Sequence, residues 1–521
     1  SMICGFIFIE RKRPLNISIF TFLILFSSTV ISCNSKGTLL TLWSPYQKLD
    51  LKEFDARGRA VTVNNALYMR LLDLSRTFIS SHPELFGENT EYVKFGSYEI
   101  PYLFQDKPED VLIVGSGGGN DVAGALRRGI KNIDAVELDP GIYKLGLAYH
   151  PEGPYKDSRV RVYIDDARSF FKKSKKQYDV ISFGFLDSQS VSSSYNNIRP
   201  DHYIYTLESL IEAKALLKNK GVITISFLNI GEWVTIRLRG LLKETFKQEP
   251  LVFRVGFQGL QRNQSGFLMF VISRDMDALK ERIEKRPELM EYIEGHRVNL
   301  DNKFVRLTTD DWPYLYHPNS RIPNTYLCII LSLLVLFLIT GRAVFFKEKK
   351  LDFHFFFLGA AFMLLEFQNI SKTTLLFGST WLVNTYTITA ILLLILLANL
   401  YAYHFKIKSI KPFYLLLCLS VLSLYVIPLG ALNIPNYYLK ASIIVIFLNL
   451  PIFFAGIIFI NSFKKSPAKN IALGSNLLGA SLGGLCESFS FIWGIKSLLI
   501  LVLVFYIISY LAGRNLIFSK D

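Results

Sequence analysis

Val111-Leu-Ile-Val114 runs directly into Gly115-Ser-Gly117-Gly-Gly119-Asn-Asp121, and this stretch decides the fold of the N-terminal part of the chain. The apolar residues predict a buried strand, and Val122 to Arg128 predicts the helix that follows. Glycines between a strand and a helix let the backbone approach a ligand closely beside the helix N-terminus. Gly115, Gly117 and Gly119 are therefore candidate cofactor-binding residues.

Two further predicted strands each lead to an acid. Ile133 to Leu138 places Glu137 near its end, 18 positions after Gly119, where an acid can accept both hydroxyls of a ribose. Val160 to Ile164 leads to Asp166, which we expect to accept a hydrogen bond from an adenine amine. Strand, glycine loop, helix, strand and terminal acid in this order predict a nucleotide site much more specifically than a glycine loop alone.

A carboxylate also follows the next predicted strand, Tyr178 to Phe183. Asp187 would stand where the strands open onto a ligand crevice, and it has two interpretations, a catalytic carboxylate or a helix cap, because Ser188 would suit a cap as well. An NAD-dependent dehydrogenase is a weaker alternative for this region. Its loop would more often be G-x-G-x-x-G, whereas the third glycine here, Gly119, comes one residue early.

Long apolar runs occur at the N-terminus and after Pro323. Ile17 to Ile31 is interpreted as a membrane anchor, although the residues up to Cys33 also resemble a lipoprotein signal. About seven later segments are long enough to cross a bilayer at about 20 residues per helix. They are Tyr326 to Phe345, Phe353 to Ile370, Leu382 to Tyr403, Phe413 to Leu432, Ala441 to Ile460, Ile471 to Trp493 and Leu498 to Leu511.

Basic residues collect in alternate loops between these segments, at 342–350, 406–411 and 464–469. Because positive loops stay on the cytoplasmic side, the pattern places these loops inside a bacterial inner membrane and the region before Pro323 outside. An outside location conflicts with the use of a cytosolic nucleotide. A cytoplasmic domain would favour catalysis, whereas an outside domain would need an imported cofactor or another ligand.

The charge and the cysteines exclude several classes of protein. The net charge is +15, but much of the basic excess flanks apolar runs, so the pattern indicates a membrane protein and not a nucleic-acid-binding one. None of the five cysteines lies between Asn34 and Pro323, which excludes a disulfide there. No Cys/His spacing typical of zinc occurs, so no metal is expected.

Several blocks in order resemble the spermidine synthase family, and specifically its membrane-embedded branch. The similarity covers most of the chain. The blocks before Pro323 are the glycine loop, Trp43-Ser-Pro-Tyr-Gln-Lys-Leu49, Val136-Glu-Leu-Asp-Pro140, Asp165-Asp-Ala-Arg168, Leu186-Asp-Ser188, Arg199-Pro-Asp201 with Tyr205-Thr206, and Thr309-Asp-Asp-Trp-Pro-Tyr314. Those after it are Leu364-Leu-Glu366-Phe, Phe377-Gly-Ser-Thr-Trp-Leu-Val-Asn384 and Asn476-Leu-Leu-Gly479-Ala-Ser-Leu-Gly483-Gly484-Leu-Cys-Glu487.

The resemblance implies a fold and a division of the chain. We expect an α/β Rossmann-like methyltransferase fold followed by an all-α, multi-pass transmembrane bundle. The expected parts are an anchor or signal segment (1–33), a spermidine synthase-like nucleotide-binding domain (34–323) and a transmembrane domain of about seven helices (324–521). Within the second part, 34–105 would be an N-terminal segment on the substrate side and 106–275 the α/β core.

The resemblance also implies roles for individual residues. Glu137 would hold the ribose, Asp166 and Ala167 the adenine, and Asp187 would orient or deprotonate an attacking amine, because alkyl transfer from a sulfonium needs an unprotonated nucleophile in line with the S–C bond. The co-substrate would be S-adenosylmethionine or its decarboxylated form. Gly118 and Ser190 stand where soluble family members have acids that bind cationic amines, which disfavours putrescine as the acceptor.

Other residues in the matching blocks are candidates for a substrate or membrane site, namely Tyr205, Asp310, Asp311, Glu366 and Glu487. Ionisable groups within apolar runs are costly and usually face partners or a cavity. For the two glutamates, pairing with Asn384 or Lys496, binding of a polar head group and a neutral structural role all remain open. The glycines at 479, 483 and 484 are expected to let helices pack closely.

Two functions from different classes are consistent with these residues. The first is a membrane-bound transferase that moves an aminopropyl or methyl group from the sulfonium co-substrate to a small amine or an amphiphilic, lipid-associated acceptor. The second is a non-catalytic binding or transport protein whose nucleotide-binding domain is sensory or vestigial. The expected partners are the lipid bilayer and the acceptor, with a homo-oligomer left open.

Overall fold

A computed structural model describes residues 21–22, 26, 37–86, 94–186, 202–228, 231–256, 267–301, 303–348, 351–427 and 437–513. From 37 to 323 it contains strands and helices, which we call the α/β domain, and from 324 to 513 it is helical, which we call the helical region. The expected N-terminal anchor lies outside the described residues except at 21, 22 and 26.

A four-stranded antiparallel sheet begins the α/β domain, with its strands in chain order. The strands are β1 (Thr38–Trp43), β2 (Lys48–Asp55), β3 (Gly58–Val63) and β4 (Ala66–Leu72). This sheet contributes Leu49, Leu51 and Val61 to a buried apolar cluster, which also contains Ile142 and Leu145 of a following helix. This burial holds the small sheet against the rest of the α/β domain.

The core is a seven-stranded mixed sheet. Its strands are β5 (Asp110–Val114), β6 (Asn132–Glu137), β7 (Val160–Ile164), β8 (Tyr178–Phe183), β9 (Leu217–Leu228), β10 (Leu251–Val255) and β11 (Phe267–Ser273). The spatial order is β10-β11-β9-β8-β5-β6-β7, and β11 is antiparallel to both of its neighbours. The strands that follow β5 in the chain, β6 and β7, lie on one side of it, and β8 and β9 lie on the other side. A ligand crevice is expected where the strand order changes side in this way, at the ends of β5 and β8.

Helices accompany the strands and complete the hydrophobic core. They are α1 (Arg76–Ser81), α2 (Asn120–Arg127), α3 (Pro140–Tyr149), α4 (Ala167–Lys173), α5 (Leu207–Ala215), α6 (Glu232–Phe246), α7 (Met276–Glu284) and α8 (Pro287–Gly295). The four predicted strands from 111 to 183 are present, with bounds that differ by at most one residue. The sheet order confirms the predicted α/β methyltransferase-type fold.

The helical region confirms the predicted apolar helices in part. Its helices are α9 (Asn324–Glu348), α10 (Phe353–Phe377), α11 (Trp381–His404), α12 (Lys411–Val426), α13 (Tyr437–Lys465), α14 (Lys469–Cys486), α15 (Ser490–Trp493) and α16 (Leu498–Ala512). In the described chain, three helical stretches are long and apolar enough to cross a membrane: Phe353–Phe377, Trp381–His404 and Ser442–Lys465. The sixth predicted segment is interrupted after Cys486 by a short 3-10 turn, and the count of seven crossings stays a prediction.

The glycines of α14 let it pack closely on α10. A Cβ atom on Gly479 would lie 1.7 Å from the carbonyl oxygen of Phe356, and one on Gly483 would lie 2.4 Å from that of Ala360. No atom would lie within 4 Å of a Cβ on Gly484. The expected packing role is therefore confirmed for the first two glycines and wrong for Gly484.

Replacing Gly479 with alanine should lower the thermal stability of the detergent-purified protein. The new methyl group would meet the carbonyl of Phe356, which belongs to a helix and cannot turn away, and overpacking of this kind costs about 1–3 kcal/mol. Gly484→Ala is the matched control, since it gains helix propensity without a contact. Equal melting temperatures for the two variants would contradict this packing.

Candidate active site at the strand ends

The glycine loop is held by backbone hydrogen bonds and packs against the N-terminal sheet. The N–H groups of Gly115 and Ser116 both donate to the carbonyl of Val136 at 2.9 Å, which ties the end of β5 to β6. Gly119 has a φ of 109° and precedes the first residue of α2, a conformation that favours glycine. A Cβ on Gly118 would lie 2.1 Å from Cδ2 of Leu71, so a β4 side chain occupies the space that a side chain at this position would need.

Glu137 connects the second strand to this loop. One carboxylate oxygen accepts from the N–H of Gly117 at 2.8 Å, and the other accepts from the N–H of Asp139 at 2.9 Å. Burial raises the pKa of Glu137 to about 7, and the backbone N–H groups act in the opposite direction. The structure therefore brings Gly117 and Glu137 together, and the ribose contact stays a prediction.

The β1–β2 turn of the N-terminal sheet lies beside these residues. Ser44 Oγ donates to Asp139 at 2.8 Å, and Gln47 Nε2 donates to the same carboxylate oxygen at 3.1 Å. Tyr46 lies between them in sequence, and burial raises its pKa to about 12, with the negative charges of the nearby acids, including Glu137, adding to the shift. Tyr46 therefore lies near the acids of the candidate site, in a block to which the sequence analysis gave no site role.

Asp166 has partners in both parts of the chain. One carboxylate oxygen accepts from the N–H of Ser169 at 3.0 Å and caps α4, which starts at Ala167. The other accepts from the N–H and the hydroxyl of Ser379, at 3.2 and 2.6 Å, in the loop between α10 and α11. The predicted adenine contact is untested, and an adenine that reached this oxygen would compete with Ser379.

A cavity of about 170 Å³ lies between the glycine loop and β4. Its lining includes Met69 and Arg70 of β4, Tyr98 and Asp121. Asp121 is buried in the first turn of α2, and burial raises its pKa to about 7. The sequence signal for Asp121 was its place directly after the glycine loop, where we treated it as part of the motif and gave it no role.

Asp187, the predicted catalytic residue, lies outside the described residues, as does Ser190. The described chain ends one residue earlier, at Leu186, whose Cδ2 would lie 1.8 Å from a Cβ on Gly115. Leu186 therefore packs against the glycine loop, and the position of Asp187 stays a prediction.

Three of the other candidate residues lie away from the glycine-loop cavity. Tyr205 is in the core, and its ring centroid lies 6.5 Å from that of Phe183 and 5.5 Å from that of Phe227. Asp310 accepts two hydrogen bonds from the guanidinium of Arg168, at 2.5 and 2.8 Å. Asp311 accepts from the backbone N–H of Lys496 at 2.6 Å, so Asp311 joins the α/β domain to the helical region, whereas Asp310 bonds within the α/β domain.

Glu366 and Glu487 are half-buried in the helical region. Of the two partners considered for them, Lys496 places its ammonium 4.6 Å from the ring centroid of Tyr425, and Asn384 accepts a hydrogen bond from Thr374 at 3.4 Å. No carboxylate lies within 4 Å of the Lys496 ammonium in the described part of the chain. A head-group or structural role for the two glutamates stays open.

Comparisons with known proteins identify the α/β domain by similarity. Residues 98–230 match the family model of the spermine/spermidine synthase domain. The polyamine aminopropyltransferase of Leptospira biflexa serovar Patoc is 27% identical over 211 residues, which are 39% of this chain and 66% of that protein, just under two thirds of its length. The corresponding enzyme of Saccharolobus solfataricus is 23% identical over 289 residues, covering 51% of this chain and 86% of that protein. The crystal structure of spermidine synthase from Thermotoga maritima is 16% identical, with a TM-score of 0.37, covering 50% of this chain and 84% of that one.

The contact between Asp166 and Ser379 should appear as an energetic coupling in a double-mutant cycle. Ser379→Ala should lower the stability of the purified protein by about 1–3 kcal/mol, since the lost hydrogen bond is to a charged group. In an Asp166→Ala background the same change should have almost no effect. Thr385→Ala is the control, because its hydroxyl bonds to the carbonyl of Trp381 in its own helix. An equal loss in both backgrounds would show that the two residues are not coupled.

Proposed function

We propose that the chain is a membrane-bound transferase that moves the aminopropyl group of decarboxylated S-adenosylmethionine to an amine, because residues 98–230 match the family model of the spermine/spermidine synthase domain. The observation that supports this most directly is the bond between the Gly117 N–H and the Glu137 carboxylate, because it sets a ribose-binding acid beside a glycine loop at the switch point of the sheet. The residues present fit such a co-substrate.

The proposed reaction forms an N–C bond as the S–C bond breaks. The electron pair of that bond goes to the sulfur, which releases 5′-methylthioadenosine, and the amine loses a proton. Asp121 is a candidate acceptor for this proton, since its carboxylate lines the cavity and has a pKa near 7. Asp187 is the second candidate, on the resemblance described above.

The cavity indicates which amine would bind. Leu71 fills the space at Gly118, and Arg70 lines the cavity with its guanidinium 4.4 Å from the ring centroid of Phe54. No acidic side chain forms an ion pair with Arg70 among the described residues. Asp121, which lines the same cavity, can attract one ammonium, but the second charge of a dication such as putrescine would meet Arg70, whereas an amine on an apolar or anionic molecule carries no second positive charge. We therefore propose an amphiphilic acceptor.

The helical region supports the location of the proposed reaction at a membrane. Its three long apolar stretches are suited to a bilayer, and the Ser379 loop that binds Asp166 connects two of them. This arrangement would keep the nucleotide crevice close to the membrane surface, where a lipid-associated amine is concentrated. The charge asymmetry of the loops favours an extracytoplasmic α/β domain in a bacterial inner membrane, and decarboxylated S-adenosylmethionine would then have to be imported to reach it.

Calorimetric titration of the detergent-purified chain should show binding of decarboxylated S-adenosylmethionine. Glu137→Gln should weaken it by roughly tenfold or more, because hydrogen bonds to a charged group contribute about 1.5–3 kcal/mol each. Glu284→Gln, at an exposed end of α7, is the matched control. Preference for S-adenosylmethionine would indicate methyl transfer, and absence of binding to either by folded protein would favour the non-catalytic binding or transport role.

The affinity for decarboxylated S-adenosylmethionine should rise between pH 6 and pH 8. Burial raises the pKa of Glu137 to about 7, so the group is mainly protonated at the lower pH and can then accept fewer hydrogen bonds from the ribose. Titrations at several pH values should show this rise in the unmodified chain and a flat profile in Glu137→Gln. If the rise in affinity persists in Glu137→Gln but disappears in Asp121→Asn, the titration of Asp121 causes the pH dependence.

A further inference from the structure

A second cavity, of about 630 Å³, lies between the α/β domain and the helical region. Arg168, Tyr203 and Asp311 line it from one side, and Gln368 and Lys372 line it from the other. None of its described lining residues lines the cavity at the glycine loop. It is therefore a separate site, and its volume is within the range of about 300–1,000 Å³ that is typical of ligand pockets.

Two lysines in this cavity lack an ion-pair partner. Lys372 donates to the carbonyl of Leu424 at 2.7 Å, and Lys496 lies over the ring of Tyr425. Neither ammonium has a carboxylate within 4 Å in the described ranges, whereas Arg168 is satisfied by Asp310 and Glu212. Four basic residues (Arg168, Lys172, Lys372 and Lys496) and three acids (Glu212, Asp310 and Asp311) are among the described lining residues, so the lining carries a net positive charge, and neither Lys372 nor Lys496 is in an ion pair there.

Gln368 adds an unsatisfied amide to the same wall. Its side chain is fully buried, and neither its oxygen nor its nitrogen has a hydrogen-bond partner in the part of the chain that the structure describes. A buried polar group without a partner is destabilising by about 1–3 kcal/mol. A ligand with ester or hydroxyl oxygens would supply the missing partner.

The remaining wall of the cavity is apolar. Leu375, Leu376 and Phe377 come from the end of α10, and Leu424 and Ile427 come from the end of α12 and the residue after it. The cavity thus has a charged and polar part beside an apolar part, and α10 is one of the helices long enough to cross a membrane. A ligand that matches both parts has an anionic head and a hydrocarbon tail.

We propose that this cavity binds an anionic phospholipid. The phosphate lies at Lys372 and Lys496, the glycerol ester oxygens meet Gln368, and the acyl chains lie against Leu375, Leu424 and Ile427. Charge-assisted hydrogen bonds to phosphate and burial of the chains both contribute to binding. This proposal does not depend on the transferase activity, because it uses a different cavity.

Binding is tested with the full-length chain in detergent, titrated with short-chain phosphatidylglycerol, phosphatidylcholine of the same chain length, glycerol phosphate and inorganic phosphate. Phosphatidylglycerol should bind most tightly. Lys372→Gln and Lys496→Gln should each weaken it by roughly tenfold, as expected for a lost charge-assisted hydrogen bond. Lys408→Gln, at an exposed lysine between α11 and α12, should leave it unchanged.

Melting temperatures measured without lipid separate a binding defect from a folding defect. Because Lys372 donates a hydrogen bond to a backbone carbonyl, Lys372→Gln could fail to fold. In that case the Lys496→Gln variant alone tests the proposal. Equal affinities for the two phospholipids, or binding that neither lysine substitution alters, would overturn the proposal. Binding of glycerol phosphate or phosphate as tight as that of phosphatidylglycerol, and lost in Lys496→Gln, would assign the site to a soluble anion instead.

Discussion

The buried guanidinium of Arg168 holds the segment of the α/β domain that contacts the helical region. It donates to both carboxylate oxygens of Asp310 and to Glu212 of α5, so one side chain joins α4, α5 and the segment that leads into the helical region. Removing one partner of a buried ion pair costs about 3–5 kcal/mol, because the other charge is left without compensation. The position of the segment 309–314 therefore follows from Arg168.

That segment makes the next contacts with the helical region. The indole N–H of Trp312 donates to the carbonyl of Phe491 at 2.7 Å, and the hydroxyl of Tyr314 bonds to Ser490 at 2.5 Å. Asp166, two residues before Arg168, binds Ser379 in the same region. Arg168 and Asp166 thus stand at the start of one short helix, and the acid expected at the adenine is bonded directly to the helical region.

Local patterns predicted much of this arrangement. The strand bounds, the glycine loop and the place of Glu137 at the end of β6 follow from residues close together in sequence, where strand patterning and backbone geometry leave few alternatives, whereas the bond between Gly117 and Glu137 was not predicted. The partner of Asp166 could not be found in this way, because Ser379 is 213 positions distant and its side chain is unremarkable in sequence. The same holds for Leu71, which fills the space at Gly118 from a different sheet. Contacts of this kind depend on how whole layers pack, and periodicity carries no information about them.

The proposed aminopropyl transfer is tested most directly by measuring the nucleoside product. The full-length protein would be incubated with decarboxylated S-adenosylmethionine and, as amines, putrescine or phosphatidylethanolamine vesicles, with S-adenosylmethionine in a parallel reaction. Our account predicts 5′-methylthioadenosine, formed more rapidly with the vesicles and lost in Glu137→Gln. Formation of S-adenosylhomocysteine without 5′-methylthioadenosine, or no product from either co-substrate with folded protein, would contradict it.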